Sequence, residues 1–436
     1  MRVNGCAALL VALGVCPAFG AEVKISADHA DALYGLGEEA TFTVRVTDDS
    51  GLTNLTSGAV TAELDNFGSE SVLPAAAHDL ARGNPFTVKG TLAHPGFLRL
   101  VVRGDQIRGK SVHWSVGYAP EKIARAVERP ADFDAFWEGA VAKYDREIPA
   151  KPKVELVPEK SRDKVFFFRI AVDAPNGRQV HGYFSIPKDG AKAPFPVRVQ
   201  VAAAGCGNWT NVMWPEPDAI TAFFAVYPHP PTDDLKEAQR LYDRMNEELA
   251  AKWGAPRYCM AGIRGGREDY FFYPVILGLN RAVNWLRDLP EADKTNFTYG
   301  GTSQGGGLGL ALVGLNGRFT RAAFFVPALT GLLDFKAGGR ASGWPQLAEN
   351  LSAAEDKAAV ERWAPYFDGA NFASRIRCPV RVVVGLSDCT CPPHAVYSAF
   401  NSIPVADKAI ERGIGMGHGV RGDLYGKVGA WQRAGK

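Results

Sequence analysis

The sequence lacks a dominant charge sign and, beyond its N-terminus, a long apolar run. Its 436 residues carry 49 Lys and Arg against 47 Asp and Glu, which gives a formal net charge of +2. This balance offers no electrostatic argument for nucleic acid or an anionic membrane surface as a partner. No internal segment is long and apolar enough to cross a bilayer as a helix, so we expect no membrane span.

Cysteine is also scarce, with seven residues, of which Cys6 and Cys16 lie in the N-terminal leader described below. The other five are Cys206, Cys259, Cys378, Cys389 and Cys391. They are too few for a disulfide scaffold, and an odd number leaves at least one thiol without a bridge. The Cys389-x-Cys391 pair lacks the spacer and the second ligand pair of a zinc site. We therefore predict no metal ion and no cofactor.

The first 20 residues are typical of an export signal. Arg2 supplies a positive end, residues 7–15 form a short apolar run, and Ala18 and Gly20 are small where signal peptidase selects small side chains. The apolar run is too short to span a bilayer. We predict a signal peptide over residues 1–20 and a secreted or periplasmic protein.

Residues 21–118 alternate apolar and polar side chains, as strands with one buried face do. The clearest runs, separated by Gly, Pro, Asn and Asp, are residues 41–46, 60–64, 96–103 and 111–118. They predict a small all-β sandwich of the immunoglobulin-like type. Nothing in it has catalytic spacing, so we expect this domain to pack on or position the rest of the chain, or to contact a polymer. Small esters should need only residues from about 120 onward.

The pattern changes after Pro120. Residues 130–144 place large apolar side chains on one face of a helix. Short apolar runs then alternate with helical stretches. The apolar runs are residues 195–201, 297–299 and 380–384, and the helical stretches are residues 277–289 and 305–315. This alternation predicts a doubly wound, mostly parallel sheet covered by helices on both faces. We assign residues 119–436 to one α/β domain.

Residues 301–305, Gly-Thr-Ser-Gln-Gly, fit the G-x-S-x-G pattern of a nucleophile elbow. The flanking glycines let a strand and a helix approach closely around Ser303. The motif alone is weak in a chain with 47 glycines. The residues before it are strand-like, the residues after it are helical, and Gly317 is a typical residue for the end of that helix. This context favours Ser303 as a nucleophile over an idle serine in a glycine-rich turn.

Chain order restricts the partners of Ser303, because in this fold the triad runs serine, acid, histidine. Of eight histidines, two follow Ser303. His418 lies in a glycine-rich loop that suits a base reaching back to the serine. His394 follows two prolines, and we expect a cap or surface role for it. Asp388 leaves the run 380–384 at the carboxyl end of the sheet, where it can orient the imidazole.

Other aspartates between the elbow and His418 follow no equally clear strand. They are Asp334, Asp356, Asp368 and Asp407. We expect them to cap helices or to face solvent.

Acyl transfer also needs N–H donors for the oxyanion. One is expected from the backbone of Gln304 and the other from the loop after strand 195–201. We choose the N–H of Cys206 for the second donor, with its neighbours as alternatives. Trp209, Trp214 and Tyr273 are candidates for lining the substrate side, with ordinary core packing as the alternative for each.

Several motifs in order resemble those of the acetyl xylan esterases and cephalosporin-C deacetylases of carbohydrate esterase family seven, in the α/β-hydrolase superfamily. The segments that carry the resemblance are residues 129–137, 268–273, 281–283, 303–308, 385–393 and 417–418. It implies an α/β-hydrolase fold, a Ser-His-Asp acyl-enzyme mechanism and an acetylated oligosaccharide or polysaccharide as substrate. The chain departs from the family at residues 203–206, where Ala-Ala-Gly-Cys replaces a Tyr-His-Gly-Tyr-like segment, and at Gly419, where an acidic residue is common.

We therefore predict a secreted, metal-independent serine carboxylesterase that removes acetyl groups from carbohydrates. A feruloyl esterase or a prolyl-oligopeptidase-like peptidase is the alternative on the same fold, and the segment 388–393 favours the deacetylase. A non-catalytic carbohydrate-binding protein is the alternative from another class, but the ordered Ser, Asp and His argue against it. A homo-oligomer stays open, since compact family members form hexameric rings but lack the N-terminal domain.

Overall fold

The computed structural model describes residues 20–206, 215–255, 257–347, 349–351 and 353–434. The predicted signal peptide, apart from Gly20, lies outside the described residues, and so do Trp209 and Trp214. In the described part of the chain, no helix combines the length and apolar character needed to cross a membrane.

Residues 22–118 form eight strands in two sheets. The strands are β1 Glu22–Ala27, β2 Leu33–Tyr34, β3 Ala40–Thr47, β4 Ala59–Asp65, β5 Ser71–Asp79, β6 Phe86–Gly90, β7 Gly96–Arg103 and β8 Ser111–Tyr118. One sheet has the order β1-β3-β6 and the other the order β2-β8-β7-β4-β5. Phe42 of the first sheet meets Trp114 of the second edge-on, with ring centroids 5.9 Å apart. The two sheets therefore share a core.

The rest of the chain is built on a nine-stranded sheet. Its strands are β9 Lys153–Leu156, β10 Val165–Ala174, β11 Arg178–Pro187, β12 Phe195–Val201, β13 Ile220–Phe224, β14 Ala292–Thr302, β15 Arg321–Phe325, β16 Val380–Gly385 and β17 Lys408–Gly413. They lie in the order β17-β16-β15-β14-β12-β13-β11-β10-β9. Strands β12 to β17 run parallel, whereas β9, β10 and β11 add an antiparallel edge. The prediction of a mostly parallel sheet is confirmed.

Helices cover both faces of this sheet. They are α1 Phe133–Glu147, α2 Leu235–Trp253, α3 Phe272–Arg287, α4 Gln304–Asn316, α5 Ala354–Trp363, α6 Gly369–Ala373, α7 Pro393–Ser402 and α8 Gly422–Arg433. Tyr299 and Gly300 are adjacent in β14 and so point to opposite faces. A Cβ on Gly309 of α4 would lie 2.1 Å from the Tyr299 ring, and one on Gly300 would lie 2.9 Å from the Gln432 amide of α8. Helices α4 and α8 therefore pack on opposite sides of β14.

Two helix starts differ from the sequence prediction. Helix α1 begins at Phe133 rather than at Pro130. Helix α3 begins at Phe272, five positions before the predicted start at residue 277. Its residues 272–283 are all buried, so the first turns of the helix have no solvent-exposed face that would mark where it begins.

Candidate active site

Ser303 lies in the turn between β14 and α4. Its backbone has φ 55° and ψ −120°, a conformation that residues with a side chain rarely adopt. Backbone hydrogen bonds hold it there, because the Ser303 N–H donates to the Phe325 carbonyl and the Ala328 N–H donates to the Ser303 carbonyl, both at 2.9 Å. A strained serine between a strand and a helix is the geometry of a nucleophile elbow.

The glycines on either side of Ser303 are required by close backbone contacts. A Cβ on Gly305 would lie 2.1 Å from the Val201 carbonyl oxygen, and one on Gly301 would lie 2.6 Å from the Gly305 oxygen. Any side chain at Gly305 would push α4 away from the end of β12. The elbow therefore brings the nucleophile directly beside the loop that follows β12.

His418 and Asp388 complete a hydrogen-bonded chain that begins at Ser303. His418 Nε2 lies 2.9 Å from Ser303 Oγ, and His418 Nδ1 lies 2.8 Å from Asp388 Oδ2. When Nδ1 donates to the carboxylate, Nε2 is left to accept the serine proton. The structure thus brings together the three predicted residues in the geometry of nucleophile, base and orienting acid.

Asp388 is fully buried, whereas about a third of the His418 side chain (34%) is exposed. The second carboxylate oxygen of Asp388 accepts the backbone N–H of Thr390 at 2.8 Å and that of Cys391 at 2.9 Å. Both oxygens of this buried carboxylate therefore have partners, which offsets much of the cost of its desolvation.

Asp388 and His418 are carried by two loops that are bonded to each other. The acid loop, residues 386–391, follows β16, and the histidine loop, residues 414–421, follows β17. The Ser387 N–H donates to the Met416 carbonyl at 3.0 Å. A Cβ on Gly385, just before the acid loop, would lie 2.3 Å from the Gly417 carbonyl oxygen. The two loops therefore form one packed unit.

Asp388, Cys391 and His418 place one donor atom each within 4.8 Å of one another, a spacing that a metal ion also accepts. Burial raises the pKa of the Cys391 thiol well above its usual value, and the charge of Asp388 adds to this effect. The thiolate is the form that binds metals, so a metal ion here would have to displace the proton of this thiol. The other two groups, Asp388 and His418, are hydrogen-bonded to each other, and His418 is also hydrogen-bonded to Ser303.

The side chain of Gln304 connects the elbow to the loop that follows β12. It is fully buried. Its Nε2 donates to the Ala202 carbonyl at 3.2 Å, and its Oε1 accepts the hydroxyl of Tyr258 at 2.5 Å. Because the strand ends Val201 and Gly301 are paired across β12 and β14, the loop and the elbow leave the sheet side by side.

Tyr227 extends this connection to the far end of the same loop. Its ring packs edge-on against that of Tyr258, with ring centroids 5.2 Å apart, and its hydroxyl accepts the Gly205 N–H at 3.0 Å. Burial raises the pKa of Tyr227 and of Tyr258, so both stay protonated. Cys206 follows Gly205 directly in this loop, and its own thiol donates to Gln239 Oε1 at 2.8 Å. Neither tyrosine is predicted from the sequence, because no local pattern links Tyr227 or Tyr258 to the elbow.

Tyr273 lies in the core, which corrects its prediction as a substrate-lining residue. It is 5% exposed. It packs between α1 and α3, with its ring centroid 5.9 Å from those of Phe136 and Trp137. The physical reason is that residues 272–283 of α3 are all buried and that the face carrying Tyr273 packs against α1.

His394 and Asp334 are also buried, which corrects the expectation of surface roles for them. Their side chains are 0% and 2% exposed, and His394 Nε2 lies 3.4 Å from Asp334 Oδ2 and 2.8 Å from the Ala341 carbonyl. Burial lowers the pKa of His394 to about 3 and raises the pKa of Asp334 to about 8. Burial therefore favours the uncharged forms of both groups over an ion pair.

The remaining aspartates have ordinary structural partners. Asp368 caps α6 by accepting the Ala370 N–H at 2.9 Å. Asp356 pairs with Arg264, and Asp407 pairs with Arg381, each at 2.8 Å.

Comparison with known proteins identifies the family. The family model described as acetyl xylan esterase (AXE1) matches residues 121–418. The chain belongs to the acetyl xylan esterase family. It is 28% identical over 396 residues to acetyl esterase Axe7A of Xylanibacter ruminicola, an alignment that covers 88% of this chain and 84% of that protein. This family membership confirms the prediction of a carboxylic ester hydrolase. The family match begins after β8, so the two N-terminal sheets lie outside it.

Two solved structures have the same fold. The acetyl xylan esterase from Paenibacillus sp. R4 superposes with a TM-score of 0.61 at 24% identity, covering 73% of this chain and 98% of that one. Acetyl xylan esterase 1 from Thermoanaerobacterium sp. superposes with a TM-score of 0.58 at 19% identity, covering 72% of this chain and 96% of that one. The α/β-hydrolase fold predicted from the sequence is confirmed.

Proposed function

We propose that this protein is a serine esterase that removes acetyl groups from acetylated oligosaccharides and polysaccharides, with Ser303, His418 and Asp388 as its catalytic residues. The observation that carries the proposal is the unbroken hydrogen-bonded chain from Ser303 Oγ through His418 to Asp388. The names of the relatives favour acetate as the acyl group, since one is an acetyl esterase and another an acetyl xylan esterase.

The reaction follows from the positions of these atoms. Ser303 Oγ attacks the acetyl carbonyl carbon while His418 Nε2 takes the hydroxyl proton. The tetrahedral intermediate then collapses, His418 protonates the departing sugar oxygen, and the acetyl group stays on Ser303. Water attacks this acyl-enzyme, its proton passes to His418 and returns to Ser303, and acetate leaves. Asp388 stabilises the imidazolium in both halves.

We assign the oxyanion hole to the backbone N–H groups of Gln304 and Cys206. Gln304 begins α4, whose N-terminal end carries partial positive charge. The choice of Cys206 is supported by the bonds of other amides in its loop. The Gly205 N–H is occupied by Tyr227, and the Ala202 N–H donates to the Phe224 carbonyl at 2.9 Å.

We further propose that residues 21–118 are an immunoglobulin-like module in front of an α/β domain of residues 119–436. The supporting observations are the two facing sheets, their strand order, and the parallel pairing of β2 with β8. The leader pattern of residues 1–20 supports export, which suits an enzyme whose substrates are fragments of extracellular polymers.

Acetate release from acetylated xylo-oligosaccharides tests this proposal. The same preparation is assayed on synthetic acetyl, butyryl and feruloyl esters and on a peptide substrate, with Ser303→Ala as the control. We expect acetate release, a preference for acetyl over longer acyl groups, and loss of both in the variant. Faster cleavage of feruloyl esters or peptides would assign the site to one of the other hydrolase classes.

A further inference from the structure

The five-stranded N-terminal sheet is buried on both faces along β7 and β8. Leu98 and Leu100 of β7 point into the sandwich, yet Phe97 and Val101, on the opposite face, are also 0% exposed. A two-layer sandwich covers only one face of each sheet. A second layer, outside the sandwich, therefore covers the outer face of this sheet. Helix α7 is part of that second layer, because Phe97 packs on Tyr397 with ring centroids 5.5 Å apart.

The acid loop is another part of that second layer. Ser115 of β8, which is 0% exposed, donates its hydroxyl to the carbonyl of Leu386, two residues before Asp388. Arg99 is paired with Ser115 across β7 and β8, and its guanidinium lies 4.0 Å from Cys389 Sγ, one residue after Asp388. The N-terminal sheet thus contacts the acid loop on both sides of the catalytic carboxylate.

The histidine loop is held by the neighbouring residue of the same strand. Trp114 packs on Phe42 in the sandwich core, and a Cβ on Gly415 would lie 2.7 Å from its indole Nε1. Gly415 has φ +65° and lies three positions before His418. Trp114 therefore joins the core of the N-terminal domain directly to the loop that carries the base.

We propose that Ser115 and Trp114 are positioning residues for the Asp388–His418 pair, which makes the N-terminal domain a working part of the esterase site. This inference rests on the triad of the proposed function. The acid and histidine loops follow β16 and β17, and β17 is the edge strand of the nine-stranded sheet. The N-terminal sheet gives these edge loops a rigid surface. Catalytic geometry must be held within roughly 0.5 Å, so a looser surface lowers turnover.

Ser115→Ala tests the proposal, because it removes one hydroxyl from a strand that otherwise keeps its packing. The matched control is Ser111→Ala, which lies on the same face of β8 but nearer the start of the strand. Turnover of a soluble acetyl ester is measured per active site, with sites titrated by a serine-directed fluorophosphonate. The low-field proton NMR resonance of the His418 Nδ1–H reports the Asp388 bond directly.

We expect Ser115→Ala to lower kcat about tenfold with KM within about twofold, since a misplacement of about 1 Å costs roughly 100-fold. The low-field resonance should shift or broaden, whereas Ser111→Ala should leave kcat and the resonance unchanged. Wild-type kcat and an unchanged resonance in folded Ser115→Ala would overturn the proposal, even if its denaturation midpoint falls. An equal loss in Ser111→Ala would overturn it as well.

Trp114→Phe tests the same positioning role if Ser115→Ala does not fold. It keeps an aromatic ring in the sandwich core but removes the indole nitrogen beside Gly415. The expected result is again a lower kcat per titrated site with a shifted resonance, and wild-type values would overturn the proposal. A wrong assignment of the triad is recognised separately, because Ser303→Ala would then stay active whatever the kcat of Ser115→Ala.

Discussion

The side chain of Gln304 donates to the backbone carbonyl of Ala202, so the residue after the nucleophile is tied to the loop that contains Cys206. The backbone N–H groups of Gln304 and Cys206 are the proposed oxyanion donors. Their separation is therefore set by a buried side-chain contact as well as by the paired ends of β12 and β14.

Gln304→Ala should lower kcat/KM about tenfold to 100-fold. The variant keeps the backbone N–H but loses the side chain that connects to Ala202 and Tyr258, so the loop shifts relative to the elbow. Removing an oxyanion donor outright costs roughly 100-fold to 1,000-fold, which sets the upper limit. Tyr258→Phe, which removes only one hydroxyl, should cost less. Kinetics on a synthetic acetyl ester check both, and wild-type values in Gln304→Ala would show that the contact does not position the donors.

Gly305→Ala should destabilise the fold and abolish activity. Its Cβ would lie 2.1 Å from the Val201 carbonyl, so α4 must move away from β12. Overpacking of this kind costs typically about 1–3 kcal/mol, and the elbow moves with the helix. The control is Gly426→Ala in α8, where a Cβ meets nothing within 4 Å and helix propensity favours alanine. Urea denaturation of both variants checks the expectation, and equal stabilities would contradict it.

The sequence predicted elements and residues whose signal is local. Strands β7, β8 and β12 were predicted with their observed bounds, because each is a continuous run of strand-forming residues. Strand β5 was missed, since most of its residues are exposed and it lacks a buried face. The proposed triad was predicted because each member lies in the turn or loop that follows a strand and the chain order restricts the choice.

Contacts between distant segments had no local signal. Ser115 and Leu386 are 271 positions apart, and Tyr258 and Gln304 are 46 apart. Such pairs depend on how finished elements pack, which the period of a single strand or helix does not reveal. The expectation that residues from about 120 onward suffice for small esters was made without these contacts. It stays a prediction, and the contacts of Ser115 and Trp114 argue against it.

Asp334→Asn should change how stability depends on pH. Burial raises the pKa of Asp334 to about 8, above the value of about 3.9 in an unfolded chain. Between these values the native state binds more protons than the unfolded state, so the contribution of Asp334 to stability falls as pH rises. His394, whose pKa is lowered to about 3, has the opposite effect only up to about pH 6.5.

Between about pH 6.5 and 8, the fall in stability caused by Asp334 is therefore not offset by His394. In this window the unfolding free energy of Asp334→Asn should fall less steeply than that of the wild type, by up to roughly 2 kcal/mol across the window. Asp407→Asn, at a more exposed ion pair with Arg381, is the control and should keep the wild-type slope. Identical slopes in all three proteins would contradict the assignment of a protonated Asp334.

His394→Ala and His418→Ala should differ sharply in activity when assayed under identical conditions. His418 contacts the nucleophile, whereas His394 lies buried against Asp334 and the Ala341 carbonyl. We expect His394→Ala to keep most of its activity per folded molecule and to lose stability. His418→Ala should lose several orders of magnitude, as triad variants do. The reverse order of activities would show that the wrong histidine has been assigned.

The turnover of Ser303→Ala on a soluble acetyl ester shows directly whether Ser303 is the nucleophile. The side chain is small and its turn is fixed by backbone hydrogen bonds, so the variant should fold with near wild-type stability. We expect kcat to fall at least about 1,000-fold, because loss of a triad member normally costs several orders of magnitude. A folded Ser303→Ala enzyme with kcat within about tenfold of the wild type would contradict it.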